Sequence, residues 1–298
     1  MIETNGPLTT GNAHCLLLAI LLFLLLSPGG AYSLSTVDIT ITPSTFGQGE
    51  VSLVTLKQAT GEPQMIWLGK RIPMVYNRKN ELWAGFIGAD LTTDPGRYKL
   101  QVNYTSNSEP DFIPITVRSK DHGIRRITLP KEMVELDHDT LQRVLREIST
   151  VKQVFMTSSE DPLWWGRWTR PLPGTIVSPF GCKNIINDME RSPHSGVDLK
   201  AAVGTPIKAT NRGLVALVAE HFFSGKSIVI DHGGGIFSMY FHISHISVRV
   251  GELVEKGDPI GLSGSSGRVT GPHLHFGIRL NGRRINPLTL IEISKTLE

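Results

Sequence analysis

Residues 273–280 read His-Leu-His-Phe-Gly-Ile-Arg-Leu, and this alternation constrains the fold more than any other feature of the chain. A period of two marks a β-strand, because successive side chains leave a strand on opposite faces. Leu274, Phe276, Ile278 and Leu280 then share a face suited to a core, while His273, His275, Gly277 and Arg279 share the other. Packing alone gives a strand no use for two imidazoles side by side. A metal ion does, since imidazole is a common neutral ligand for zinc.

Similar alternation recurs over 37–41, 51–56, 98–102 and 112–117, with turn signals at Gln48-Gly49, Thr60-Gly61, 77–80 and Pro95-Gly96 between the runs. Short, half-buried strands at such spacing predict a β-sandwich module over 36–120. The 30 glycines and 18 prolines among 298 residues fit a chain made mostly of strands and turns, with room for two domains. The period changes over 137–156. There Leu141, Val144, Leu145, Ile148, Val151 and Phe155 fall on one face of a helix, with Arg143 and Glu147 on its polar side. Asp137 or Asp139 can cap that helix. It is expected to connect two domains within a helical linker, 121–169, whose Trp164, Trp165 and Trp168 either line a binding surface or, the favoured reading, anchor the linker against a domain. From Pro171 onward strands and glycine turns dominate again, so 170–298 reads as a second β-rich domain and the fold class is mainly β.

Residues 15–26 form an apolar run followed by small residues. It is shorter than the roughly 20 residues of a full membrane span and matches the core of an export signal, with a cut expected between Gly30 and Ser35. Glu3 and the lack of Lys or Arg before the run leave anchoring through 15–26 open. Either way 1–35 points to export, to the periplasm or cell envelope or beyond the cell. Cys15 and Cys182 are the two cysteines, so a disulfide framework and a Cys-x-x-Cys zinc site are both excluded. A net charge of +3 without a basic run carrying interleaved aromatics argues against nucleic acid as a partner.

His194-Ser195-Gly196-Val197-Asp198 sets an imidazole and a carboxylate four residues apart, on one face of an extended segment. His194, Asp198 and His275 together supply two nitrogens and one oxygen. Three protein ligands with a fourth position open is the arrangement of a catalytic zinc site. His273 and His242 remain, and either could take a proton from water or steady an oxyanion. No His-Glu-x-x-His motif offers a glutamate for that work. His232 reads as a turn or core histidine, and His138, His221 and His245 carry no functional weight.

Ser178-Pro179-Phe180-Gly181, the His194 to Asp198 segment, Gly204-Thr205-Pro206-Ile207, Tyr240-Phe241-His242-Ile243 and Gly271-Pro272-His273-Leu274-His275-Phe276 occur in this order. Together they resemble the lysostaphin-type (LytM-like) zinc endopeptidases, which cleave peptide cross-links of bacterial peptidoglycan. The resemblance covers residues 170–290. It implies His194, Asp198 and His275 as ligands of one zinc ion, with His242 and His273 as catalytic histidines. It also implies a barrel-sandwich-like β fold with a long groove, peptidoglycan peptide stems as substrate, and divisome or envelope proteins as further partners. Residues 250–261 resemble the turn of biotinyl and lipoyl carrier domains, which suits such a fold. One departure is Cys182, which stands where family members often carry a basic residue. Some relatives have lost ligands and act as non-catalytic regulators that bind the wall or activate amidases; here all five positions are present.

Overall fold

The computed structural model describes residues 37–297 apart from 60, 105–108 and 131–133, so the expected export segment lies outside the described residues. The first half is a sandwich of two sheets. One is ordered Asp38–Thr42, Val51–Lys57, Leu82–Gly88, Val75–Asn77. The other runs Thr45–Gly47, Asp111–Arg118, Gly96–Asn103, Gln64–Trp67, Lys70–Ile72. Between them Val54, Leu56, Met65, Trp67, Ile87, Leu100 and Ile115 form an apolar core.

The strand Val51–Lys57 departs from the half-buried expectation: it is buried on both faces. Val54 and Leu56 face the sandwich core, but Val51 and Leu53 belong with Ala84 and Phe86 to a second core. That second core continues through Trp164, Trp168, Phe180, Leu280 and Ile285 into the rest of the chain. Trp164 packs on Phe86 with ring centroids 4.9 Å apart. Polar contacts finish the seam: Asp90 takes Nη2 of Arg284 at 2.7 Å, and the amide of Asn286 donates to Gly49 O at 2.7 Å. The first sheet is thus shared by two cores, and the tryptophans hold it there.

The second half is a ten-stranded, antiparallel sheet whose central order is Gly196–Lys200, His273–Leu280, Ile236–Ile246, Gly225–Asp231, Gly213–His221. Pro259–Ser263 pairs with both Pro206–Lys208 and Ile236–Ile246, which curls the sheet around its core. The expected core face of the strand at 273–280 is the observed one, with Leu274, Phe276, Ile278 and Leu280 all buried. A short helix, Pro287–Ile293, follows the sheet and runs on into a 3-10 turn, Ser294–Leu297. Asn286 caps the helix and proline opens it, a start signal present in the sequence beneath the strand-rich reading of this region.

The connecting helix spans His138–Val154, and Asp137 Oδ1 accepts from the amide of Thr140 at 2.8 Å. Its apolar face is only partly covered. Val144 is buried and Phe155, just past its end, meets Phe237 edge-on at 5.2 Å, but Leu141, Leu145 and Ile148 are 42, 50 and 58% exposed. The helix meets the sheet along one margin of its apolar arc and leaves the other margin open. Glu147 is not simply on the solvent side: its Oε2 accepts from the amide of Phe222 at 2.9 Å. Upstream, the chain also forms a strand, Ile124–Ile127, parallel to Lys183–Ile186 in a three-stranded sheet completed by Met189–Arg191.

Candidate metal centre

Two neighbouring strands and one loop build the site. Gly196–Lys200 lies antiparallel to His273–Leu280, with Asp198 directly opposite His275. Facing residues on paired strands stand close enough for their side chains to meet. His194 sits in the loop just before, held by two backbone bonds: its amide donates to Cys182 O at 2.9 Å, and its carbonyl accepts from Gly181 at 2.8 Å. Gly196 keeps the space open, because a Cβ there would lie 2.7 Å from Nε2 of His275.

The result is a triangle of donor atoms. Nε2 of His194 is 2.9 Å from Nδ1 of His275, and Oδ1 of Asp198 is 3.0 Å from each. Such a triangle leaves a point about 2 Å from all three atoms, the bond length zinc requires. His194 Nδ1 donates to Pro179 O at 2.9 Å. A carbonyl can only accept, so Nε2 of the neutral ring carries the lone pair and points inward. All three residues are buried, at 9, 5 and 7% exposure for His194, Asp198 and His275. Two imidazoles and a carboxylate converging on one point fit zinc, with one coordination side left open to the cleft.

Without a cation the three groups lean on one another. Burial opposes charge on His194, yet hydrogen bonds to Asp198 and Cys182 outweigh it and lift the imidazole to about 9. Burial also opposes charge on Asp198, but hydrogen bonds from His194 and His275 hold it far below the usual carboxylate range. His275 is pushed down, by burial first. The metal-free pair is therefore an imidazolium and a carboxylate.

His273 and His242 flank the triangle, their rings 4.8 Å apart. Nδ1 of His273 donates to Gly271 O at 2.8 Å, and Nδ1 of His242 donates to Ser266 O at 2.9 Å. Each ring is thereby locked with a bare Nε2. Nε2 of His273 lies 3.7 Å from Oδ1 of Asp198. Burial, and next the charge of His275, push His242 down to about 4, so it stays neutral at ordinary pH. His242 reaches the site by an irregularity. Strict alternation would aim it with Tyr240, which is fully buried in the core. Instead His242 adopts φ 66°, where register shifts interrupt pairing on both sides, and the ring turns into the cleft. A bulge of this kind re-aims a side chain, and the left-handed backbone costs of order 1–3 kcal/mol.

The cleft has a volume of about 300 Å³. Ile127, Leu129, Phe223, Val269 and Thr270 are among the residues that line it. Phe241 lies flat against His275, its ring 5.2 Å away and 3° from parallel. Arg125 donates to Ser178 Oγ at 3.0 Å and stands 3.5 Å from Oδ2 of Asp198. Sequence reading missed Arg125, since it sits outside every motif. His232 is a core histidine as read. Its Nε2 meets Ser238 Oγ and its Nδ1 meets Arg212 O, both at 2.7 Å, and burial presses it down to about 4.

Comparison with known proteins agrees with this geometry. Residues 192–287 match the model of peptidase family M23. Over 175 residues the chain is 41% identical to the peptidoglycan DD-endopeptidase ShyA of Vibrio cholerae, a match spanning 58% of this chain and 38% of that one. Over 117 residues it is 38% identical to the DD-carboxypeptidase/endopeptidase Mpg of Neisseria meningitidis, spanning 39% of this chain and 26% of that one. These matches thus cover well under two thirds of the relatives' own lengths. A crystal structure described as an M23 peptidase from Pseudomonas aeruginosa superposes with a TM-score of 0.66 at 31% identity, covering 83% of this chain and 95% of that one. The chain belongs to peptidase family M23.

Proposed function

We propose that this chain is a zinc-dependent endopeptidase that hydrolyses peptide cross-links of bacterial peptidoglycan in the cell envelope, with the DD bond type named for its Vibrio and Neisseria relatives. One observation carries the reading. A buried three-atom metal cradle stands beside two imidazoles whose Nε2 atoms are kept bare by carbonyl acceptors.

His194 Nε2, Asp198 Oδ1 and His275 Nδ1 would hold the ion. Zinc there supplies Lewis acidity towards the scissile carbonyl and towards water. The protein does the rest. A water attacking a peptide carbonyl must lose a proton, and Nε2 of His273 or His242 is positioned to accept it. The imidazolium so formed can steady the developing oxyanion and return the proton to the departing amine. Phe241 fixes the His275 ring by stacking, and Leu274 and Phe276 fix the strand from the core side. The cleft, with Leu129 and Thr270 among its lining, would receive the peptide.

Incubating the zinc-loaded protein with purified peptidoglycan and labelling new amine ends tests this. Release of amines that stops on chelation is expected. A fully zinc-loaded protein that releases none would overturn the proposal and place the chain among the non-catalytic relatives.

A further inference from the structure

The strand Ile124–Ile127 belongs to the segment that joins the N-terminal sandwich to the metal-bearing domain, yet it is fastened into the wall of the cleft. It pairs in parallel with Lys183–Ile186 along its whole length, Ile124 opposite Lys183 and Ile127 opposite Ile186. Both ends are tied. The amide of Lys183 donates to Gly123 O at 3.0 Å and that of Asn187 to Ile127 O at 3.1 Å. Beyond the strand, Asn187 and Leu129 exchange two bonds, each of 2.9 Å, between the Asn187 side chain and the Leu129 backbone.

Strand alternation turns Arg125 and Ile127 towards the cleft and Arg126 towards solvent. One guanidinium nitrogen of Arg125 donates to Ser178 Oγ at 3.0 Å and lies 3.5 Å from Asp198 Oδ2. Ser178 Oγ is in turn 3.3 Å from Nδ1 of His194. A single side chain from the connecting segment therefore touches the far oxygen of one cradle residue and the support of another. Asp198 has two equivalent oxygens, and only Oδ1 faces the imidazoles. Something must keep it from rotating to offer both. A cation on Oδ2 does so, and such outer partners of metal ligands are commonly worth 10–100-fold in metal affinity.

We propose that Arg125 is a positioning residue for Asp198, and that the segment tethering the N-terminal sandwich is thereby an integral part of the metal site. The inference rests on the metal-site reading and not on hydrolysis, so the two can fail separately.

The experiment is zinc competition against a chromophoric chelator, using the full chain and the variants Arg125→Gln, Arg125→Lys and Arg126→Gln, with metal-free melting recorded for each. Arg125→Gln should bind zinc about 10–100-fold more weakly at nearly unchanged metal-free melting. Arg125→Lys, which keeps a cation near Oδ2, should recover most of the loss, and Arg126→Gln should match wild type. A merely structural role would lower metal-free melting without a selective loss of zinc affinity, and rescue by lysine would be absent. Wild-type affinity in Arg125→Gln overturns the proposal. So does tighter binding, the result expected if the guanidinium only repelled the metal. Should Arg125→Gln not fold, Ser178→Ala reads the same chain of contacts: at least a threefold loss is expected, and wild-type affinity overturns the proposal. A wild-type chain that binds no zinc overturns both readings, whereas a chain whose zinc affinity depends on Arg125 as expected but that cuts no peptide overturns only the functional one.

Discussion

Gly196 is the position where a single methyl group should act on strand pairing and metal binding at once, each with its own readout. Its Cβ would lie 2.7 Å from Nε2 and 2.9 Å from Cε1 of His275, and closer still to the carbonyl of Phe276. That carbonyl is backbone of the paired strand, so the 196–200 strand must ease away from it while the imidazole retreats as well. Ordinary contact begins at 3.4 Å, so in Gly196→Ala the ring must retreat by about 0.7 Å. Metal bonds tolerate deviations of about 0.2 Å, so the displaced Nδ1 no longer closes the triangle. Overpacking against both backbone and ring costs about 3 kcal/mol or somewhat more, at the upper end for such changes, which a domain of this extent can absorb. The expected outcome is a chain that folds, melts several degrees lower, and binds zinc at least tenfold more weakly. Chelator competition and thermal melting of the metal-free protein read the two effects independently. Wild-type zinc affinity in a folded Gly196→Ala protein would contradict this expectation, because it would mean that His275 is free to shift without leaving the site.

Other outcomes follow from the same geometry. His273→Ala and His242→Ala should keep full zinc content and lose at least 100-fold in hydrolysis, while His194→Ala should lose zinc; metal analysis beside the amine-release assay distinguishes them. Zinc binding should release a proton from His194, whose metal-free pKa is raised to about 9. Apparent affinity should therefore rise by up to tenfold per pH unit towards pH 9 and then level off, and calorimetry in buffers of different ionisation enthalpy would expose a pH-independent affinity as a contradiction. In the metal-free chain the sign is the same as for any raised histidine. Its stabilisation is complete below the unfolded value near 6.5 and fades as pH climbs through about 9, which urea titrations at two pH values measure. Trp164→Ala should cost about 3–5 kcal/mol. The sandwich and the second sheet should still melt in one calorimetric transition, because Phe86 and Trp164 belong to a core both share.

The parts of this structure that were legible in the sequence are those set by one strand's own period. The two faces of the 273–280 strand follow from alternation alone, and Asp198 meets His275 because two such strands pair in register. What escaped notice depends on a second layer. The strand Val51–Lys57 alternates like a half-exposed strand, yet Val51 and Leu53 are buried by tryptophans more than a hundred residues away. The exposed margin of Leu141, Leu145 and Ile148 is invisible to a helical period, which shows an apolar face but not how much of it a neighbour covers. His242 breaks the alternation that would have placed it, and only its neighbours in a recognised motif pointed to the cleft. Arg125 carries no local signal at all. Its role depends on a parallel pairing between segments some sixty residues apart, the class of contact that periodicity cannot foresee.

In the function proposed above, a metal cradle and two bare imidazoles act together on a cross-linked peptide. Digestion of a defined peptidoglycan dimer joined by a DD peptide bond, with the zinc-loaded chain and its His273→Ala variant side by side and products read by mass spectrometry, tests it most directly. Monomers with one new amine and one new carboxylate are expected from the wild-type chain, and intact dimer from a variant with full zinc content. Intact dimer from the zinc-loaded wild-type chain, or equal cleavage by both proteins, would contradict it.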